Sequence, residues 1–431
     1  MMPPRSILLI AALCAAAPGL RAQASDVCCD AEALSRGLRI AERYRVAAIA
    51  DRRFTHAEFW KAVEPVLASG GLGVAEIGKS LQGRPLRAVS FGAGPVKVLL
   101  WSQMHGDEST ATMALADIVR FLAEASGDPL RERLRRELRL TFVPMLNPDG
   151  AERFQRHNAA GIDVNRDARR LATPEARALW SLRERLAPEF GFNLHDQNAR
   201  TRAGAGGPQA AIALLAPAYD SALSYNDVRS RARLVAAGIA TLLGHQIGGR
   251  VARYDDEYSP RAFGDGFQRS GTSTVLIESG ALPGDPGKQR LRALNVAAIL
   301  GALDAIATLR YRRLDPGAYE ELPGNASGAQ DLVLRGGHLV LPGLAPVRAD
   351  VAINYDDAVA RAGGRIAEIG DLDGAAALDT LDVGGLYLFP ADSVLTKSAG
   401  GGVWLRAGAP AVFEARRGPG RDSDLVRRIG L

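Results

Sequence analysis

Four short stretches of the chain carry residue types suited to breaking a bond. The first is His105-Gly-Asp-Glu108, directly after the apolar run Val98-Leu-Leu-Trp101. An apolar run, an abrupt polar turn and then apolar residues at helical spacing over 109–125 read as a strand, a turn and a helix start. His105 and Glu108 then lie at the carboxyl end of a buried strand, where open α/β sheets keep their sites. Across such a turn an imidazole nitrogen and a carboxylate oxygen can converge on one small cation. That donor pair suits zinc, which in a catalytic site takes a third protein ligand and keeps one position open. His-x-x-Glu alone more often describes a capped helix start with two ordinary polar residues, so the other three stretches decide.

The second stretch is Asn147-Pro-Asp-Gly150, continued by Arg156 and by Gly161-Ile-Asp163-Val-Asn165-Arg166-Asp167. The third is Phe190-Gly-Phe-Asn-Leu-His195-Asp196-Gln197, and the fourth runs from Gly271 through Glu278 to Gly280. His195, at a strand end, is the third ligand that completes a set of two His and one Glu, leaving a coordination position for water. Glu278 closes a run rich in β-branched residues with no basic neighbour in sequence. A carboxylate at a buried strand end is costly unless it has a partner or a task, which makes Glu278 the natural general base, with Asp196 and Asp265 next in line. Arg156, Asn165 and Arg166 supply donors, in one loop, that suit either a carboxylate or a developing oxyanion. Asp163, two residues before Asn165, is placed to accept a hydrogen bond from a ligand histidine.

The elements that must position these groups alternate. Helical patterns at 30–50, 55–67, 109–125, 174–186, 230–243 and 289–310 intersperse with strand patterns at 97–101, 138–145, 190–194 and 274–277, after a hairpin over 74–91 turned by Gly83 and Pro85. Such alternation specifies an α/β fold, a mixed twisted sheet with helices on both faces. After Leu314 the texture changes to Pro- and Gly-rich sequence and then to short strand-sized segments, among them 332–334, 338–341, 350–354, 365–369, 386–389, 403–405 and 411–415. The expected division is a signal peptide at 1–24, an N-terminal helical segment at 25–69, a catalytic domain at 70–314, a linker at 315–328 and a β-rich accessory domain at 329–431.

The leader is read from Arg5, the apolar run at 7–17 and Ala22-Gln23-Ala24 before Ser25, the marks of a secretory signal removed on export. The expected destination is therefore the periplasm or the exterior. No later run is long and apolar enough to span a bilayer. Of the three Cys, Cys14 belongs to the leader. Cys28 and Cys29 are adjacent, a strained pairing for one another, which leaves free thiols or an intermolecular bridge. Net charge is +5, with 53 basic against 48 acidic residues and only five Lys. No basic stripe with interleaved aromatics is present, so the sequence offers no nucleic-acid partner. Asn325-Ala-Ser327 matches a glycosylation triplet, a pattern common by chance.

Taken in chain order, Ile77-Gly-Lys-Ser-Leu-Gln-Gly-Arg-Pro85, His105-x-x-Glu108, Asn147-Pro-Asp-Gly150, Arg156 with Gly161-x-Asp163-x-Asn165-Arg166, the strand-end His195 and Glu278 resemble the zinc metallocarboxypeptidases of the carboxypeptidase A type, over about residues 70–310. The resemblance implies one zinc ion bound by His105, Glu108 and His195, Glu278 as general base, Arg156 on the tetrahedral oxyanion, Asn165 and Arg166 on the substrate's terminal carboxylate, and Asp163 orienting His105. It implies a peptide or peptide-like substrate with a free C-terminal carboxylate. The chain departs from the family pattern in three places. Asp167-Ala168 follows Arg166 where the family has Asn and an aromatic residue. Asp196-Gln197 follows His195 in place of a small hydroxyl residue. The family's mobile tyrosine has only Tyr254 and Tyr258 as candidates. Asp167 can pair with Arg166 or receive a substrate amino group. The rival readings are a zinc amide hydrolase acting on N-acyl amino acids or cell-wall stem peptides, and an inactive peptide-binding module.

Overall fold

Strands buried on both faces read as continuous apolar runs because helices cover a parallel sheet on either side, and that is the arrangement at the centre of this chain. The computed structural model describes residues 29–398 and 400–430. The expected leader and Cys28 lie outside the described residues, and Cys29 is buried.

The main sheet is built from β1 (Gly73–Lys79), β2 (Pro85–Phe91), β3 (Val96–Ser102), β4 (Leu138–Val143), β5 (Phe190–Asp196), β7 (Ile212–Leu215), β8 (Val251–Arg253) and β9 (Ser273–Ser279), with the two-residue β6 (Arg202–Ala203) outside it. Its order is β1-β2-β4-β3-β5-β9-β7-β8. Strands β4, β3, β5 and β9 run parallel, while β2 and β7 are antiparallel to their inner neighbours. From β3 the chain passes first to β4 on one flank and then to β5 on the other. That reversal opens a crevice at the carboxyl ends of β3 and β5.

The helices are α1 (Ala31–Arg43), α2 (His56–Ser69), α3 (Thr110–Glu124), α4 (Pro129–Glu137), α5 (Pro148–Ala151), α6 (Pro174–Leu186), α7 (Asp227–Ile247), α8 (Phe263–Arg269), α9 (Gln289–Ala307) and α10 (Gly317–Glu320). Side chains of β3 divide by parity. Val98 and Leu100 join a core with α1, α2, α3, α4, α7 and α9, while Leu99 and Trp101 join another with α6 and α8, where Trp101 meets Phe267 edge-on at 5.0 Å. The sheet is thus covered on both faces, as the alternation specifies.

Three local expectations change. The helix expected over 30–50 stops at Arg43, because the next turn is claimed by tertiary partners. Val46 N–H donates to Asp117 Oδ1 at 2.7 Å, and Arg292 donates to the carbonyls of Ile49 at 2.5 Å and Val46 at 3.2 Å. The strands expected at 332–334 and 338–341 are one strand, Leu332–Leu339, with a bulge between Leu334 and Gly337. The stretch expected as a linker is packed. Tyr319 is 1% exposed and its hydroxyl accepts from Ala216 N–H at 3.1 Å, and β10 (Asn325–Ala326) pairs with β6. Pro and Gly mark where a chain bends, not whether the bend is buried.

Beyond β10, a seven-stranded sheet has its own core, including Val351, Ile353, Leu388 and Phe413, and the short segments expected at 350–354 and 365–369 are parts of longer strands, Val347–Asp357 and Ala362–Gly370. It is tied to the α/β unit by charge. Arg200 donates to Asp331 at 2.9 Å and to the Tyr355 carbonyl at 2.6 Å, and Arg52 and Arg53 pair with Asp357.

Asp117 on α3 and Arg292 on α9 are each 1% exposed and joined at 2.6 and 2.5 Å. Removing one member of a buried pair strands the other charge. Arg292→Met is therefore expected to destabilise the protein by about 3–5 kcal/mol, with partial recovery in Asp117→Leu/Arg292→Met, both read from urea unfolding midpoints. A single variant as stable as the parent would show that the pair does not hold the 44–50 segment in place.

Candidate active site

The turn after β3 is shaped by what packs behind it. Gln103 adopts a left-handed backbone (φ 51°), and its amide donates to the Gly106 carbonyl at 2.9 Å. Gly106 is the one residue that fits there, since a Cβ would lie 2.0 Å from the Gly150 carbonyl carbon. Asn147 braces the same turn, its amide nitrogen reaching the carbonyls of Met104 and Arg156 at 3.3 Å while its oxygen accepts from Gly150 N–H at 2.9 Å. Asp149, beside it, accepts from Ser80, from the Gln82 backbone and from Arg84 at 2.7–2.9 Å. The motifs at 77–85 and 147–150 are thus the scaffold under the His105 turn.

Adjacent parallel strands bring the remaining groups level. Ser102 of β3 pairs with Leu194 of β5, and His195 pairs with Glu278 of β9. Glu108 lies between the two imidazoles, with His105 Nδ1 at 2.7 Å from Oε1 and His195 Nδ1 at 2.7 Å from Oε2. The Asp196 backbone N–H and Arg156 also donate to it, at 3.2 and 3.1 Å. One ligand atom from each of His105, Glu108 and His195 lies within 4.8 Å of the others, and all three residues are buried. Two imidazole nitrogens and a carboxylate oxygen, desolvated and converging, fit zinc. Asp163 accepts from His105 Nε2 at 2.9 Å and from Arg156 at 2.9 and 3.2 Å, so one carboxylate fixes both side chains.

The charges respond to these neighbours. For Glu108, burial works against the charge, but His105 and His195 outweigh it and hold the carboxyl well below the usual range. For His105, burial opposes the proton, but Glu108 and Asp163 outweigh it and push the imidazole up to about 9. Burial leaves His195 below its ordinary value. Glu278 goes the other way. Burial, and then the charge of Glu108, push its carboxyl well above the usual range.

The cluster opens into a cleft of 630 Å³ whose walls include Asn165, Arg166, Tyr254, Asp265, Gln197 and Asn325. Asn165 accepts from Phe263 N–H at 3.0 Å and holds its amide nitrogen 3.5 Å from His195 Nε2. Asp167 does not pair with Arg166. Its oxygens accept from the Ala172 backbone and from the Thr173 backbone and hydroxyl at 2.7–3.0 Å. Of the two tyrosines, Tyr254 lines the cleft, and Glu278's charge together with burial pushes its hydroxyl up to about 12. Asp196 is held by the Thr110 hydroxyl at 2.6 Å and by Lys288 at 2.8 Å. Asp265 accepts from Ser259 N–H at 2.8 Å, and burial raises it to about 6. Sequence reasoning did not find Lys288 or Asn325. Lys288 stands 92 residues from Asp196, and no local pattern announces that pairing.

Residues 71–201 match the family model for zinc carboxypeptidases, a span that contains His105, Glu108, Arg156, Asp163 and His195 and ends before Glu278. Carboxypeptidase D of Mus musculus is 31% identical over 157 residues, covering 27% of this chain and 11% of that protein. Carboxypeptidase 2 of Trichophyton tonsurans is 28% identical over 162 residues, covering 37% of this chain and 29% of that protein. The chain thus spans less than a third of the length of these two relatives. The crystal structure of a metallo-carboxypeptidase from Burkholderia cenocepacia aligns at 18% identity with a TM-score of 0.49, over 60% of this chain and 70% of that one.

Metal uptake has a pH signature. An imidazole held near 9 carries a proton at neutral pH and must lose it to bind a metal. Zinc affinity of the metal-free protein is therefore expected to rise about tenfold per pH unit from 6 towards 9 and then flatten, since one proton is exchanged. Calorimetry in buffers of different ionisation heat reads the released proton directly. Affinity independent of pH between 6 and 8 would take His105 out of the ligand set, and undiminished zinc in His195→Ala would do the same for His195.

Proposed function

We propose that this chain, which belongs to the zinc carboxypeptidase family through residues 71–201, is an exported zinc exopeptidase that removes the C-terminal residue of peptides. The observation that carries this reading is the convergence of two imidazoles on one buried carboxylate, with a second carboxylate, Glu278, one strand away and in register with His195. Export is inferred from the leader signals in 1–24. We assign catalysis to the 70–314 unit and an accessory role to 329–431.

His105, Glu108 and His195 would hold the zinc. When bound, it supplies Lewis acidity that polarises the scissile carbonyl and makes water nucleophilic near neutral pH. Glu278 takes the proton of the attacking water as its oxygen bonds to the carbonyl carbon, and delivers that proton to the departing amine as the C–N bond breaks. Its raised proton affinity favours the first of these transfers, the uptake of the water proton. Arg156 offers N–H donors beside Glu108 for the developing oxyanion. Asn165 and Arg166 bind the α-carboxylate. Because Asp167 is engaged with Thr173, the Arg166 fork is not blunted by its neighbour and can take a carboxylate through two parallel hydrogen bonds.

Glu278→Gln keeps the shape and removes the base. Its turnover number is expected to fall about 10²–10⁴-fold with zinc retained, and near-normal turnover would place the base elsewhere. The terminal requirement is tested by one blocked peptide offered as free acid and as C-terminal amide. The acid alone should be cleaved, and Arg166→Ala should raise its KM without loss of zinc. Equal cleavage of acid and amide would overturn the exopeptidase assignment.

A further inference from the structure

One wall of the cleft comes from outside the α/β unit. The segment 323–327 is strapped across the ends of β6 and β8 by backbone bonds. The Pro323 carbonyl accepts from Arg253 N–H at 2.8 Å, the Gly324 carbonyl accepts from Gly204 N–H at 2.9 Å, and Asn325 pairs with Ala203. Asn325 and Ser327 line the cleft as a result. Asn325 Nδ2 donates to Gln197 Oε1 at 2.7 Å, while the other two atoms of the pair, Gln197 Nε2 and Asn325 Oδ1, are buried without a partner. Buried amides left half-satisfied are rare in folded proteins. Terminal amide torsions are broad, so a small rotation can turn such a pair towards a ligand. What remains to be paired is an amide NH2 and an amide carbonyl oxygen, the complement of a peptide C=O and N–H.

The position says which part of a substrate would be met. Gln197 lies two residues beyond His195 and donates its backbone N–H to Ser279 O at 3.0 Å, so it runs on past the metal cluster beside the Glu278 strand. Asn165 is anchored at the start of α8 through Phe263, beside His195 Nε2, and Arg166 donates to the Asn165 carbonyl at 3.0 Å. All five residues line the same cleft, so if the terminal carboxylate sits at Asn165–Arg166 and the scissile carbonyl at the cluster, Gln197, Asn325 and Ser327 are left for the chain upstream of the scissile bond.

We propose that Asn325 and Ser327, with Gln197, form a subsite for a peptide group on the amino-terminal side of the scissile bond, so that the enzyme selects peptides of three or more residues over N-acyl amino acids. This rests on the peptidase reading above. Asn325 is a substrate-binding residue supplied by the segment leading into the β-rich region, and that region then serves as the rigid mount for it. The same geometry bears on the triplet Asn325-Ala-Ser327, because a glycan on Asn325 would displace the bond to Gln197 and fill the cleft wall.

The test compares kcat/KM of the full-length zinc enzyme on an N-acyl amino acid, on an N-blocked dipeptide and on that dipeptide extended by two residues at its amino end. The longest substrate should be preferred by about tenfold or more, the worth of one or two added hydrogen bonds. Asn325→Ala should abolish that preference through KM while sparing the shorter substrates, with Ser327→Ala giving a smaller loss and Asn325→Gln retaining part of it. Zinc content and unfolding midpoint serve as the check on folding. No length preference in the parent, or an equal loss on all three substrates in Asn325→Ala, overturns the proposal. Equal cleavage of a free acid and its amide removes the exopeptidase reading but leaves a length effect standing, whereas failure to cleave any peptide removes both.

Discussion

A carboxylate buried between two imidazoles sets the terms for the rest of the molecule. Glu108 cannot be charged and dry unless cations or donors face both its oxygens, and His105, His195, Arg156 and the Asp196 backbone do so. That requirement fixes the strand arrangement. β3 and β5 must be neighbours, parallel and level at their ends, and β9 must lie beyond β5 so that Glu278 comes abreast of His195. Because side chains alternate faces, a slip of one residue in either pairing would turn a functional group to the wrong side of the sheet. The apolar runs that bury β3, β5 and β9 on both faces therefore also hold the register of the site.

The two glutamates illustrate how one fold can hold the same chemical group in two states. Glu108 is surrounded by groups that favour its charge, whereas Glu278 meets burial and the negative field of Glu108. Environments that drive two carboxyls apart in proton affinity are the pattern expected where one serves as ligand and the other moves protons. Other carboxylates around them are neutralised locally. Asp163 is held by His105 and Arg156, and Asp196 by Lys288 and Thr110. The Asp196–Lys288 pair also ties the end of β5 to the residue that opens α9, so the strand carrying His195 is anchored from behind.

The C-terminal β-rich region alters how the cleft should be regarded. Its core is separate from that of the α/β unit, yet its approach segment forms hydrogen bonds with the ends of β6 and β8, and arginines from both the N-terminal segment and the loop after β5 reach its acidic residues. A region outside the His105–Glu108–His195 cluster can still shape the space above it.

The residues that converge, His105, Glu108 and His195, the Glu278 strand end and the α/β class were legible in the sequence because each rests on a local signal. An apolar run ended by a polar residue marks a strand end, and strand ends are where such sheets gather their chemistry. Asp163 was legible for a similar reason, its spacing from Asn165. The tertiary structure alone decided the rest. It ended the first helix at Arg43 because Asp117 and Arg292 take the following backbone groups. It turned Asp167 towards Thr173, and it chose Tyr254 over Tyr258 for the cleft. It brought Lys288 to Asp196 and Asn325 to Gln197 across 92 and 128 residues of chain. Local patterns report which groups must be buried or turned. Which distant group then satisfies a buried polar atom depends on the closed shape of the whole chain, and no window of sequence contains that information.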